Sequence, residues 1–562
     1  MRLFLSIGVA ILAGVVGILP CAAEPQWHQE DGFKWAELQV PKEGKPGFTL
    51  LPPEQTGITF TNPLDEHAIA ANRGLANGSG VAIGDIYNDG LPAIFFCSLD
   101  GRCALYQNLG GMKFKDVTAG SGIVTTNLIC RGAVFADING DGWLDLLIST
   151  TGNGVLCFTN KGDGTFIECS EYAGTLSKYG AMTMALADID GHGTLDLYVG
   201  NNRVEDARDR AEFDKLRVIK VNGQMTFAPP FNERFMLKYQ DRMEYGEPDM
   251  IYLNDGKGRF TPLSWTNGAF LDESGKPLTG PPLDWALTAA FRDLNGDGAP
   301  DIYVCNDYWT PDRLWLNDGK GHFRAAPPLA LRHTSLASMG VDFADIDRDG
   351  HVDFYGMDML DRDWQRRKRE SMPSMERRSP PGTIEDRPQI PQNVLFHNRG
   401  DGTFEEIAAY AGVTTTGWSW QPVFLDVDLD GYEDIIVPTG YFRDINNLNV
   451  AEQVTALRRA GKLVPPKLGP DGKPVARSPQ EEKTEVIYQS NQLAEPLKTP
   501  IIGFRNLGNL KFEDAGPAWG LTNPALHNAI AVGDLDNDGG LDFVVNILGS
   551  AAGVYHNHGS AP

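Results

Sequence analysis

One nine-residue pattern recurs so often in this chain that any fold it adopts must repeat with it. Asp345-Ile-Asp-Arg-Asp-Gly-His-Val-Asp353 sets carboxylates at positions 1, 3, 5 and 9 and glycine at position 6. Carboxylates at alternate positions of a tight turn converge on one hard cation, because Ca2+ accepts many oxygens in irregular geometry, and glycine supplies the bend. Further complete copies are Asp137, Asn139, Asp141, Asp145; Asp293, Asn295, Asp297, Asp301; Asp426, Asp428, Asp430, Asp434; and Asp534, Asp536, Asp538, Asp542. Two copies are defective. Asp188, Asp190 and Asp196 keep three carboxylates, but His192 holds the fifth position. Asp85-Ile-Tyr87-Asn-Asp89-Gly90-Leu-Pro-Ala93 lacks two carboxylates, which predicts a turn that survives without its ion. The pattern therefore predicts about five calcium sites and leaves a sixth open in the third repeat.

A second signature alternates with the first. Asn108 to Phe114, Asn160 to Phe166, Asn254 to Phe260, Asn317 to Phe323, Asn398 to Phe404 and Asn506 to Phe512 each begin Asn-x-Gly and end on Phe, and Asn557-His-Gly559 begins a seventh copy. Asn and Gly adopt the positive φ of tight hairpins, so each copy joins two antiparallel strands. From each Asn to the next acidic loop the interval is 28 or 29 residues, with one exception of 39. From loop to Asn it is 23 or 24 in four repeats and 66, 53 and 80 in the third, fifth and sixth. All the large insertions thus fall in one connection.

Each repeat reads as strand A, acidic turn, strand B, variable loop, strand C, hairpin, strand D. Seven such units describe an all-β fold, a seven-bladed β-propeller of four-stranded antiparallel blades, which protects its sheet edges radially. The last repeat stops before its strand D. Phe48-Thr-Leu-Leu51, followed by Gly57-Ile58, matches to within one residue the spacing of Phe114 to Val117 followed by Gly122-Ile123. An N-terminal strand is therefore expected to close the ring. The expected domains are a signal peptide at 1–23, a linker at 24–46 and a propeller at 47–562, with partly helical insertions at about 201–248, 360–392 and 441–500. The third insertion predicts a helix and a hairpin about Asn222-Gly223. The sixth predicts a helix capped by Asn449 that ends near Gly461 and runs into a loop.

Arg2, the apolar run Leu3 to Leu19 and Cys21-Ala22-Ala23 read as a secretory leader, so the protein is expected to be secreted, periplasmic or at the cell surface. The formal charge of −25 is largely accounted for by the complete loops, which hold 18 carboxylates. Nucleic acid is an improbable partner for an exported acidic chain. Cys97 with Cys103 and Cys157 with Cys169 flank predicted hairpins and are disulfide candidates, while Cys130 and Cys305 read as buried thiols.

With Asp-x-Asp-x-Asp-Gly-x-x-Asp loops beside Asn-x-Gly-x-Gly-x-Phe hairpins over about 47–562, the chain resembles the FG-GAP or VCBS repeat proteins. Phe60-Thr-Asn62 and Gly78-Ser79-Gly80-Val81-Ala82 are similar to the bacterial branch related to cartilage acidic protein and its UnbV-type relatives, without the UnbV C-terminal domain. The resemblance implies an integrin-like propeller with calcium in its A-to-B turns, and it leaves activity open.

In an up-and-down blade, acidic turns and insertions lie on opposite faces. Residues that enter strand A or follow strand B on the insertion face are the candidate ligand site: Trp285, Asp307, Tyr308, Trp309, Arg313, Trp418, Trp420, Tyr441 and Arg443. Exposed aromatics with a few charges hold sugars or protein loops. The plainer use of these rings is to plug the ring's centre or anchor the insertions. The basic run Arg366 to Arg369, with Arg377-Arg378, is a solvated loop or a site for an anionic glycan. No nucleophile elbow, Walker loop, Cys-x-x-Cys pair or zinc motif appears. The chain thus reads as a calcium-binding propeller that takes a glycan or an extracellular protein. The alternative is a carbohydrate-active enzyme, such as a polysaccharide lyase, using the same face.

Overall fold

A computed structural model describes residues 28–30, 34–35, 45–238, 241–371 and 387–559. The predicted leader, most of the linker, and Arg377 and Arg378 lie outside these residues.

The acidic turns and the hairpins pair strands as their spacing requires. In the second blade, strands Cys130–Ala136, Asp145–Thr150, Gly154–Asn160 and Phe166–Glu168 follow one another in sequence and in space. The same order builds the first blade from Val81 to Asp116 and the third from Gly180 to Pro262. It builds the fifth from Val341 to Glu406 and the sixth from Val423 to Asp514. The fourth blade, Ala286 to Ala325, carries an extra strand, Phe270–Leu271, parallel to its outer edge. That extra strand occupies the one long interval of 39 residues between hairpin and loop.

The seventh blade takes its inner three strands from His527–Gly533, Asp542–Ile547 and Gly553–Asn557 and its outer strand from Phe48–Leu51, in the register Phe48 to Asn557 and Leu51 to Val554. Phe48 packs edge-on against Phe543 at 4.6 Å. The seventh blade's inner strand then packs beside that of the first, and the ring is closed. Core residues fill the spaces between blades. Val544 and Val554 of the seventh, for example, share one cluster with Ile94, Phe96 and Tyr106 of the first.

The hairpin asparagines join blades as well as turning chains. In the first six blades the side-chain amide donates to a backbone carbonyl in the acidic loop of the preceding blade, for example Asn160 to Ile86 at 2.9 Å, Asn254 to Ile138 at 2.9 Å, Asn398 to Leu294 at 2.9 Å and Asn506 to Ile346 at 2.9 Å. Asn108 of the first blade reaches Leu535 of the seventh at 2.8 Å, across the ring closure.

The insertions depart from their sequence reading in two places. In the third, the expected helix is two short 3-10 turns, Ala207–Asp209 and Ala211–Lys215, because Asp206 and Arg210 restart the chain in extended conformation. The hairpin about Asn222-Gly223 forms as expected. In the sixth, the helix is Leu448–Arg459 and its cap is Asn447, not Asn449. The expected loop after it contains a second helix, Pro479–Gln492, started by a reciprocal Ser478–Glu481 capping box. All six described cysteines are free thiols, so neither candidate disulfide is formed.

Candidate functional site

Two opposite rims carry chemistry. On the first, all seven A-to-B turns share one construction. The leading carboxylate accepts the N–H of the position-6 glycine, as Asp137 does from Gly142 and Asp426 from Gly431, each at 2.8 Å. Asp85 accepts from Gly90 at 2.8 Å, so the defective first loop keeps the turn. Position 4 is also left-handed, even where it is not glycine: Arg348, Leu429 and Asn537 have φ of 65°, 56° and 60°. Such residues take this conformation at a cost of about 1–2 kcal/mol, so the loop hydrogen bonds must hold it in place.

The last carboxylate is buried and ties loop to hairpin. Asp145 accepts from Asn160 N–H at 2.8 Å and from Ile138 N–H at 3.2 Å. Burial pushes Asp145 and Asp196 up to about 6, Asp301 and Asp353 up to about 7 and Asp434 up to about 8, with neighbouring carboxylates adding to the shift. A cation placed among them would remove that penalty.

Candidate ligand atoms lie within 4.8 Å of one another in each of several sets: Asp188, Asp190 and Asp196; Asp345, Asp347 and Asp349; Asp426, Asp428 and Asp434; Asp347, Asp353 and His397; and Asp536, Asp542 and His556. Asp347 and Asp536 each also keep one buried carboxylate oxygen that accepts no hydrogen bond, and Asp428 keeps two. A buried oxygen of this kind is costly without a partner, and an ion would supply one. The donor sets therefore fit divalent cations, except that in the sixth loop Arg505 already stands 2.7 Å from Asp428.

The opposite rim, where the insertions emerge, encloses a cavity of about 290 Å³. Trp285, Tyr308, Trp309, Trp418, Tyr441, Met339 and Met359 give it apolar walls, and Asn72, Arg73, Asn202, Arg203, Asp206, Arg208 and Asp307 give it polar ones. Trp418 lies flat on Tyr441, with ring centres 3.5 Å apart and planes at 6°. Trp285 is fixed by its indole N–H, which donates to the Glu244 carbonyl at 3.1 Å. Arg208 binds Asp206 at 2.8 Å and holds its guanidinium 5.9 Å from the centre of the Trp309 ring. Arg73 binds Asp209 at 2.7 Å. Two carboxylates here are driven apart. Burial alone would raise Asp206, but Arg208 and Arg73 outweigh it and hold the group at about 2. Burial, with Asp206 and Asp358 nearby, pushes Asp307 up to about 6 against the pull of Arg208.

FG-GAP-like repeats match residues 85–148, 137–199, 293–356 and 387–437. The propeller carries FG-GAP-like repeats. It is 25% identical over 214 residues to cartilage acidic protein 1 of Xenopus tropicalis, a match that covers 37% of this chain and 29% of that protein. The chain thus spans less than a third of that relative's length. Among solved structures, an Agrocybe aegerita lectin described for specific recognition of non-reducing terminal N-acetylglucosamine aligns with 79% of this chain and 84% of its own, at 16% identity and a TM-score of 0.38. The V. cholerae biofilm matrix protein Bap1 aligns with 66% of this chain and 42% of its own, at 12% identity and a TM-score of 0.27.

Six of the nine residues expected on the ligand face of the propeller line its cavity: Trp285, Asp307, Tyr308, Trp309, Trp418 and Tyr441. Three lie elsewhere. Arg313 is buried in an ion pair with Asp284, which fixes the entry to the fourth blade. Trp420 is 5% exposed and donates to the Gly440 carbonyl at 3.0 Å, so it serves the core. Arg443 binds Glu66 at 2.9 Å and Gln492 at 2.9 Å, locking the sixth insertion onto helix Glu66–Ala71. For these three, anchoring is the role the structure gives.

Asn72, Arg73, Arg203, Asp206 and Arg208 were not expected at the cavity. Asn72 and Arg73 sit in the connection from the seventh blade's outer strand to the first blade's inner strand, which shares a face with the insertions. That placement was available from the strand order alone. The third-insertion residues were not, because no periodic element fixes where they fold back. In the basic run, Arg366 pairs with Asp361 and Lys368 lies 4.4 Å from the centre of the Trp364 ring on the surface, outside the cavity.

Proposed function

We propose that this protein is a calcium-stabilised, exported propeller that binds a carbohydrate in the cavity on its insertion-bearing face. The observation that carries this reading is the cavity itself, where aromatic rings meet Asp307, Asp206 and Arg208. Aromatic faces pack against the apolar faces of sugar rings, and fixed charged groups bind the hydroxyls around their edges. Its size suits one or two sugar rings. A protein partner would need a contact of about 800 Å² per side, far wider than this mouth. Export rests on the leader-like N-terminus. No described helix is long and apolar enough to cross a membrane.

A lyase reading has less support. No described histidine lines the cavity, and Arg73, Arg203 and Arg208 already face acidic partners.

The test is a glycan array followed by calorimetry on the best hit. Trp309→Ala should weaken binding about tenfold or more, in line with about 1–3 kcal/mol for a truncated aromatic anchor. Binding with unchanged affinity in this variant and in Trp418→Ala would refute the site. Assaying the same samples for unsaturated sugar product would reveal a lyase.

The pH profile supplies a second readout. With Asp307 titrating near 6, its carboxylate should become a full acceptor for sugar hydroxyls as pH rises from about 5 to 7, so affinity should increase across that window. Asp307→Asn should flatten the profile. For stability the sign is opposite. Because burial raises this carboxylate above its unfolded range, its contribution is fully present below about pH 4 and is lost as pH climbs past about 6.

A further inference from the structure

The acidic loops are not equivalent, and the difference lies at position 3. Two loops carry asparagine there, Asn139 and Asn295, and four carry aspartate: Asp190, Asp347, Asp428 and Asp536. Each of the four aspartates faces a basic side chain. His192 meets Asp190 at 2.8 Å, His397 meets Asp347 at 3.2 Å, Arg505 meets Asp428 at 2.7 Å, and His556 stands 3.8 Å from Asp536. Among the described residues, no ion pair reaches the carboxylates of the two asparagine loops. The extra negative charge and its counter-charge therefore occur together.

In three of the four loops the basic residue comes from the same place, directly before the hairpin asparagine: His397 before Asn398, Arg505 before Asn506 and His556 before Asn557. The second and fourth blades have Thr159 and Leu316 there, which carry no charge.

The sixth blade is the extreme case. Arg505 cannot lose its charge, and its planar fork binds two carboxylates at once. Its Nε lies 2.7 Å from Asp428, and a terminal nitrogen donates to Asp430 at 3.1 Å. Asp428 is 1% exposed and neither of its oxygens accepts a hydrogen bond, so the guanidinium 2.7 Å away is the cation that offsets its buried charge. A divalent ion held by the same oxygens would sit against a fixed positive group. These residues thus fit a divalent ion poorly, although their spacing matches the pattern.

We propose that Arg505 is the resident cation of the sixth loop, which keeps its turn without a divalent ion while other loops depend on one. The second clause rests on the calcium reading above; the first does not.

Hydrogen exchange with and without chelator separates the two. In the wild-type protein, chelation should speed exchange in 137–145 and 293–301 and leave 426–434 unchanged. In chelator, Arg505→Gln should speed exchange in 426–434 relative to wild type. With calcium restored, the same variant should bind one more equivalent of the ion by equilibrium dialysis. If chelation loosens 426–434 in the wild type as much as 137–145, the proposal falls. It falls equally if Arg505→Gln leaves 426–434 protected in chelator, a comparison that holds even if no loop binds calcium. Should the variant fail to fold, the wild-type comparison of 426–434 with 137–145 still decides.

Discussion

Stripping divalent ions with a chelator should lower the melting temperature by on the order of 10 °C. An ion present at a hundred times its dissociation constant contributes about 2.7 kcal/mol per site to the folded state. Several sites act on one ring. A chain of this length unfolds with an entropy of about 2 cal/mol/K per residue, so each kcal/mol moves the midpoint by roughly one degree. The change should be reversed by calcium and tracked by differential scanning calorimetry alongside elemental analysis. A melt indifferent to chelator, with no bound calcium, would refute ion stabilisation. Within this ring the second and fourth loops should loosen most, since no side chain of their own offsets Asp137, Asp141, Asp293 and Asp297.

Removing the chain up to Pro52 should abolish the soluble monomer. The deletion takes away Phe48 and Leu51, both buried, and the outer pairing partner of the strand Gly553–Asn557. Truncating one buried phenylalanine costs about 3–5 kcal/mol, and here an entire strand is lost with it. It also leaves an open edge, which is a template for pairing with other chains. Size-exclusion chromatography should show aggregate, and limited proteolysis should cut first in the seventh blade. The milder Phe48→Ala should remain folded with a lower midpoint. A monomeric deletion variant with an unchanged melt would show that the ring closes in some other way.

Much of this architecture was legible because it is written in turns. Asp at position 1, glycine at position 6 and Asn-x-Gly each demand a particular local geometry, and repeating them seven times leaves few arrangements. The strand donated by Phe48 to Leu51 was legible for the same reason, as a fragment with the spacing of an outer strand. What escaped was irregular. Pro479–Gln492 has few apolar residues and no strong periodicity; only Ser478 with Glu481 marks its start. The left-handed residues at position 4 are invisible because arginine, leucine and asparagine carry no common signal for that conformation. At the cavity, Trp285, Tyr308, Trp309, Trp418 and Tyr441 lie in the lining while Trp420 lies in the core, since a tryptophan entering strand A can face the core or the mouth equally well. Arg313 failed differently. Its partner Asp284 lies twenty-nine residues away in sequence, and nothing local marks the pair.

The asparagine amides that reach from one blade to the preceding loop give the ring a direction. Each grips the carbonyl just after a neighbour's first carboxylate, for example Asn160 on Ile86 and Asn254 on Ile138. When an ion enters or leaves a loop, that carbonyl should shift, and the following blade should register the change before any other. Occupancy is then expected to propagate one neighbour at a time from the seventh loop round to the sixth blade, so that the rim titrates as a linked series rather than as independent cups.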